Sequence, residues 1–188
     1  MKKIAIFASG SGTNAEAIIR YFENRPDVTI ALILSNKADA FVLERAANHG
    51  IPSRVFTKNE LISGQVLEFL MSHHIDLVVL AGFLLLIPKD LVEAFPGRII
   101  NIHPALLPSY GGKGMYGARV HEAVIKNQEK ESGITIHYVN AEYDEGDIIV
   151  QARCPVTEND TPDDLASRIH ELEYKYFPAT IDKIVSAI

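Results

Sequence analysis

Arg98-Ile99-Ile100-Asn101-Ile102-His103-Pro104-Ala105-Leu106-Leu107-Pro108-Ser109-Tyr110 is the stretch from which the architecture of this chain can be read. It opens as an apolar strand and closes as a proline-stiffened turn. Asn101 and His103 sit two apart where the strand ends, so their side chains point to the same side. Pro104 and Pro108 stop the strand and stiffen the turn beyond it. An amide and an imidazole are thereby held side by side at the carboxyl end of a buried strand. In open α/β sheets that is where ligands bind.

Upstream, apolar strands alternate with amphipathic helices. Lys3–Ala8 reads as a buried strand, Asn14–Asn24 as a helix, Val28–Leu34 as a strand, and Ala38–His49 as a helix stopped by Gly50. A short strand near Arg54–Phe56, a helix over Gly64–His74 and a strand over Asp76–Ala81 come next. Near-continuous Val/Ile/Leu runs of this kind suit a parallel sheet covered on both faces. Downstream the character changes. Ser109–Gly117 is glycine-rich, and Ala118–Asn127 reads as a helix. Ser132–Val139 and Asp147–Ala152 read as an antiparallel pair. Pro162–Val185 reads as a closing helix, started by Thr161, Pro162, Asp163 and Asp164. The expected fold is α/β: a Rossmann-like open, mostly parallel twisted sheet flanked by helices, with a mixed carboxy-terminal part. Residues 1–188 form one domain. Residues 1–100 are expected to form its parallel, phosphate-binding half and 101–188 its mixed, catalytic and ligand-binding half.

Composition narrows the function classes. The chain has 188 residues, 47% hydrophobic and 22% charged, as an ordinary globular domain has. A net charge of -6 with no basic stripe argues against a nucleic-acid partner. The longest apolar run, Leu77–Ile87, falls well short of the roughly 20 residues a membrane span needs. Met1-Lys2-Lys3 leads into a short apolar run without the form of a signal peptide. The single cysteine, Cys154, reads as buried filler in a reducing, cytoplasmic setting.

Two further stretches carry chemistry. Ser9-Gly10-Ser11-Gly12-Thr13-Asn14-Ala15 joins the first strand to the first helix. Its Gly10-x-Gly12-x-x-Ala15 spacing matches a dinucleotide fingerprint, but the second strand ends Leu34-Ser35-Asn36-Lys37 with no acid for a ribose hydroxyl. The ending Gly-Lys-Ser/Thr of a nucleotide P-loop is also absent. What the loop offers is a helix amino end with free N–H groups and two hydroxyls, enough for one phosphate. A plain strand-to-helix turn is the alternative. Asp144, before Glu145-Gly146-Asp147, comes after the strand that carries Thr135 and His137 on one face. Spacing alone leaves it open whether Asp144 meets His103 or is simply a loop acid.

The chain resembles the folate-dependent glycinamide ribonucleotide formyltransferases of the formyltransferase superfamily. The resemblance is carried by Ser9–Asn14, Ser35–Ala40, Ala81-Gly82-Phe83, Asn101-Ile-His103-Pro104 with Leu107-Pro108, and Gly133-x-Thr135-x-His137 followed by Asp144-x-Gly146. It implies the formyltransferase fold and transfer of a formyl group from 10-formyltetrahydrofolate, as co-substrate, to the amine of 5'-phosphoribosylglycinamide in purine biosynthesis, with no metal. It implies Asn101, His103 and Asp144 as catalytic residues. Gly12, Thr13 and Asn14 would hold the acceptor's phosphate and Glu173 its ribose hydroxyls. The folate would lie along Leu84, Leu85, Leu86 and Ile87 and along Asn140, Ala141, Glu142, Tyr143 and Asp144, with Asn101 beside it. The partners expected are small molecules, and the state a monomer or homodimer. Asp144 is expected to favour the imidazolium of His103 and raise its pKa. Two rival readings stand beside this one. A formyltetrahydrofolate hydrolase would share the Asn, His and Asp. A non-catalytic dinucleotide-binding module would have no use for His103.

Overall fold

A computed structural model describes residues 1–188. Seven strands form one sheet: β1 (Lys2–Phe7), β2 (Val28–Ser35), β3 (Ser53–Val55), β4 (Leu77–Leu80), β5 (Ile99–His103), β6 (Glu131–Tyr138) and β7 (Ile148–Pro155), in the order β3-β2-β1-β4-β5-β6-β7. The first five run parallel, and β6 and β7 are antiparallel additions. The expected fold class holds. The order in which strands are added reverses at β1, which pairs β2 on one side and β4 on the other. The crevice beyond the carboxyl ends of β1 and β4 is thus a topological switch point, the place where such sheets bind ligands.

The seven helices are α1 (Thr13–Phe22), α2 (Val42–Asn48), α3 (Lys58–Ile62), α4 (Gln65–Ser72), α5 (Lys89–Ala94), α6 (Ala118–Lys126) and α7 (Pro162–Val185). They cover both faces of the sheet. Ile4, Ile6, Leu77, Val79, Ile100 and Ile102 face a large core shared with α1, α2, α6 and α7. Ala5, Phe7, Val78, Leu80 and Ile99 face a smaller core with α3, α4 and α5. Alternate residues of one strand serve opposite cores, which is why these strands read as unbroken apolar runs. β5 crosses residue 100, so the sheet is continuous between the two halves of the chain.

Three elements differ from the sequence expectation. α2 starts at Val42, not Ala38, because Val42 N–H is bonded to the Gly10 carbonyl at 3.1 Å and residues 38–41 turn to reach the glycine loop. α3 and α5, of five and six residues, were not expected. Their apolar pattern is too short to register a period. Thr57 and Glu60 nevertheless form a capping box before α3, and that spacing is readable in sequence. α7 runs over the expected residues, its own box built by Thr161 and Asp164 with Pro162 in the first turn.

Candidate active site

The switch-point crevice opens into a cavity of about 500 Å³. Residues 10–14 and 81–84, the end of β5, the glycine-rich loop 112–117, Asp144 and one face of α7 line it. At one end lies the loop after β1. Gly12 takes a left-handed conformation, φ 70°, as it caps α1. A Cβ there would stand 2.5 Å from the Val42 side chain, so the turn admits only glycine. The first N–H groups of α1 have no partner inside the helix, and a helix end of this kind can hold an anion. Ser9 fixes this loop: its hydroxyl donates to Asn36 Oδ1 at 2.6 Å and accepts from Leu84 N–H at 3.1 Å. Asn36, at the position where a dinucleotide site wants an acid, is thus turned onto Ser9.

On the wall formed by α7, Glu173 is 5% exposed. Asn14 Nδ2 and His170 Nδ1 both meet its Oε2, each at 2.9 Å. Its Oε1 has no bond of this kind. The contact with Glu173 raises the His170 pKa above its ordinary value. Asn14 Oδ1 is buried with no partner.

At the other end four side chains converge. Register does much of the work: Asn101 on β5 stands opposite His137 on β6, and His103 opposite Thr135. Asn101 Nδ2 lies 3.1 Å from His137 Nε2 and 3.4 Å from Asp144 Oδ1. Asp144 also sits between two imidazoles, with Oδ2 3.5 Å from His103 Nδ1 and Oδ1 3.6 Å from His137 Nε2. Each imidazole is held on its far nitrogen by a backbone carbonyl. His103 Nε2 donates to Tyr110 at 2.7 Å, and His137 Nδ1 donates to Tyr138 at 2.8 Å. A carbonyl only accepts, so each ring carries a proton on that nitrogen and turns its other nitrogen toward Asp144. Gly112 N–H donates to Asp144 Oδ2 at 3.0 Å.

Asp144 reaches this point because of the residue two places on. At Gly146 any Cβ would overlap the Tyr138 carbonyl. Glycine lets the loop lie flat against the end of β6 and aims Asp144, at φ 57°, over the end of β5. Thr135 secures the turn after β5. Its hydroxyl donates to the Ala105 carbonyl at 2.7 Å and accepts from Leu107 N–H at 3.0 Å.

The electrostatics set burial against the expected pull of Asp144 on His103. Burial pushes the His103 pKa below its ordinary value; the Asp144 carboxylate and the Tyr110 carbonyl pull it up but do not win. The resting imidazole is therefore neutral at pH 7. Burial also pushes Asp144 up, but the neighbouring His137 and His103 and the Gly112 amide outweigh it and hold the carboxyl below its ordinary range. Asp144 is ionised.

A model of the formyl transferase family matches residues 2–181. This chain belongs to that family. Among curated proteins it is 43% identical to the chloroplastic phosphoribosylglycinamide formyltransferase of Arabidopsis thaliana over 97% of this chain and 65% of that protein. It is 40% identical to phosphoribosylglycinamide formyltransferase of Bacillus subtilis (strain 168), over 98% of this chain and 95% of that one. The chain thus spans about two thirds of the plant relative and nearly all of the bacterial one. Among solved structures, glycinamide ribonucleotide transformylase 1 from Symbiobacterium toebii superposes with a TM-score of 0.90 at 36% identity, covering 100% of this chain and 89% of that one. Phosphoribosylglycinamide formyltransferase from Bacillus Halodurans gives 0.89 at 39%, covering 98% and 96%.

Of the residues expected from sequence, Gly12, Thr13, Asn14, Leu84, Asn101, His103, Tyr143, Asp144 and Glu173 line the one cavity. Leu85, Leu86, Ile87, Asn140, Ala141 and Glu142 do not. Ile87 is buried in the smaller core and Leu86 is exposed. Sequence reasoning missed His137 and the Tyr110 carbonyl as members of the site. The parity of Gly133-x-Thr135-x-His137 was a usable signal for the first; nothing in the sequence marks a backbone oxygen.

Proposed function

We propose that this chain transfers a formyl group from 10-formyltetrahydrofolate to the amine of 5'-phosphoribosylglycinamide, a step of purine biosynthesis. One observation carries the reading. A single cavity joins an Asn–His–Asp cluster to an anion-binding helix end through a carboxylate with an unused oxygen. The acceptor's phosphate rests on the N–H groups at Gly12, Thr13 and Asn14, and its ribose hydroxyls donate to Glu173 Oε1. Those remote contacts position the amine for attack.

The cluster supplies the chemistry. The amine attacks the formyl carbon and negative charge builds on the formyl oxygen. Asn101 turns an N–H to that oxygen, giving up its long 3.4 Å contact with Asp144. A developing anion raises the pKa of a nearby imidazole. His103, neutral at rest, therefore takes up the proton that the attacking amine loses, becomes imidazolium as the charge appears and returns the proton toward N10, so the stabilisation is spent on the transition state. As the new C–N bond forms the amine must lose a proton, and N10 of the folate must gain one as the old bond breaks. Asp144, ionised beside His103, holds the water that relays it.

The folate lies along Leu84-Leu85-Leu86-Ile87 and the 139–143 segment, read by their backbone groups. In support, Leu84 and Tyr143 line the same cavity as Asn101, and Phe83, Leu85 and Val139 pack on the same smaller core. Cys154, buried and free, suits a cytoplasmic setting.

The test is a transfer assay with both substrates. Deformylation of the folate should be slow alone and strongly stimulated by glycinamide ribonucleotide, with the formyl group recovered on its amine. Fast release of formate that ignores the ribonucleotide would overturn the reading in favour of a hydrolase.

A further inference from the structure

His121 stands in the fourth position of α6 and lines the cavity, yet neither the oxyanion chemistry nor the anion loop uses it. It is 4% exposed, and its Nδ1 is buried with no hydrogen-bond partner. A buried polar atom without a partner is unusual and costs stability, so a site that keeps one needs a reason. An aliphatic or aromatic side chain would fill the same volume without that cost. Burial pushes the His121 pKa down, and the positive end of α6 opposes protonation too, so the ring is neutral. A neutral imidazole offers one donor and one acceptor. The titratable groups close enough to act on it are Glu173, His170 and His103. All three line the same cavity as His121: Glu173 and His170 on the α7 wall, His103 at the reacting end. The stretch of acceptor that would run from that wall to the reacting end is the carboxamide joining ribose to amine.

We infer that His121 hydrogen-bonds the carboxamide of the acceptor, and so distinguishes the glycinamide ribonucleotide from a sugar phosphate that lacks it. This rests on the acceptor reading above. Without the contact, phosphate and ribose alone would set affinity, and any pentose phosphate would occupy the site. A group that must satisfy a buried imidazole penalises ligands that cannot.

Calorimetric titration of two probes, glycinamide ribonucleotide and ribose 5-phosphate, tests this. His121→Phe should weaken the ribonucleotide by about tenfold, the scale of one lost buried hydrogen bond. It should leave ribose 5-phosphate and 10-formyltetrahydrofolate unchanged, the last also reporting that the variant is folded. His121→Gln, which keeps a donor and an acceptor, should recover part of the loss. Equal weakening of both sugar probes, or no weakening of either, would overturn the assignment while leaving the transferase reading intact. Wild-type protein that binds the ribonucleotide no more tightly than ribose 5-phosphate would overturn both.

Discussion

The two ends of the cavity are built from different material. The end proposed to hold the acceptor's phosphate is largely backbone: a helix amino terminus, a left-handed glycine and a loop pinned by Ser9. The reacting end is side chain: Asn101, His103, His137 and Asp144, held by register and by carbonyls. Backbone dipoles have fixed charge and geometry, so they suit a ligand group that does not change. Side chains titrate and exchange partners, so they suit an atom whose charge appears and vanishes. The contrast predicts that damage at one end should spare what the other does.

Asn101→Ala is the largest test of that separation. It removes a donor to developing charge, and turnover should fall by about 100-fold or more. The dissociation constant for glycinamide ribonucleotide should barely move. Turnover near wild type would end the oxyanion role, and lost acceptor affinity would show the two ends to be one device.

Gly12→Val is the mirror experiment. The substitution meets Val42 and a positive φ together. Thermal unfolding should show a loss of about 1–3 kcal/mol. Acceptor affinity should fall while folate affinity survives. Loss of both ligands in equal measure would mean that the loop holds the whole crevice open.

Asp144→Asn sharpens the account of the titrating end. The carboxylate pulls the His103 pKa up against burial, so without it the imidazole should titrate at still lower pH. NMR titration of the ring protons reads this directly; an unmoved pKa would break the coupling. Stability carries the matching sign. The unfolded chain takes up a proton near the ordinary histidine value that buried His103 resists. His103 thus contributes full stability above that pH, lost as pH falls toward its depressed folded pKa. Denaturant melts from pH 7 to 5 should show a shallower decline in His103→Gln.

The smallest expected effect lies away from both ends. Thr161→Ala removes the cap of α7, which should cost about 1 kcal/mol in denaturant unfolding. Turnover should be unchanged. A change in acceptor affinity would instead show that Glu173, three turns along, depends on how α7 begins.

Much of this was legible in the sequence because its signals are local. The Val/Ile/Leu runs announce a parallel sheet, and Thr161-Pro162-Asp163-Asp164 announces α7 in full. Asn101 and His103 were readable as a pair because a strand's period of two is a local fact. What was not legible is what other segments impose. α2 begins late because Gly10 claims the Val42 N–H. Asp144 pulls the His103 pKa up as expected, but burial, which depends on the whole fold and is not readable from the chain, outweighs it. His121 gave no signal at all: one histidine on an amphipathic helix looks like any other until the cavity beside it is seen.

The pairing of β5 with β6 guards more than the geometry of the site. Antiparallel strands can slip, and a slip by one residue turns every side chain to the opposite face. Here Thr135 and His137 alternate with Ile134 and Ile136, which are wholly buried in the large core. A slipped β6 would set isoleucines against Asn101 and His103 and drive a histidine and a threonine into the hydrocarbon interior. The misaligned chain would forfeit its core at the same moment as its chemistry. Folding itself thus proofreads the site: a stable molecule in the wrong alignment, folded but inert, has no free-energy minimum to occupy.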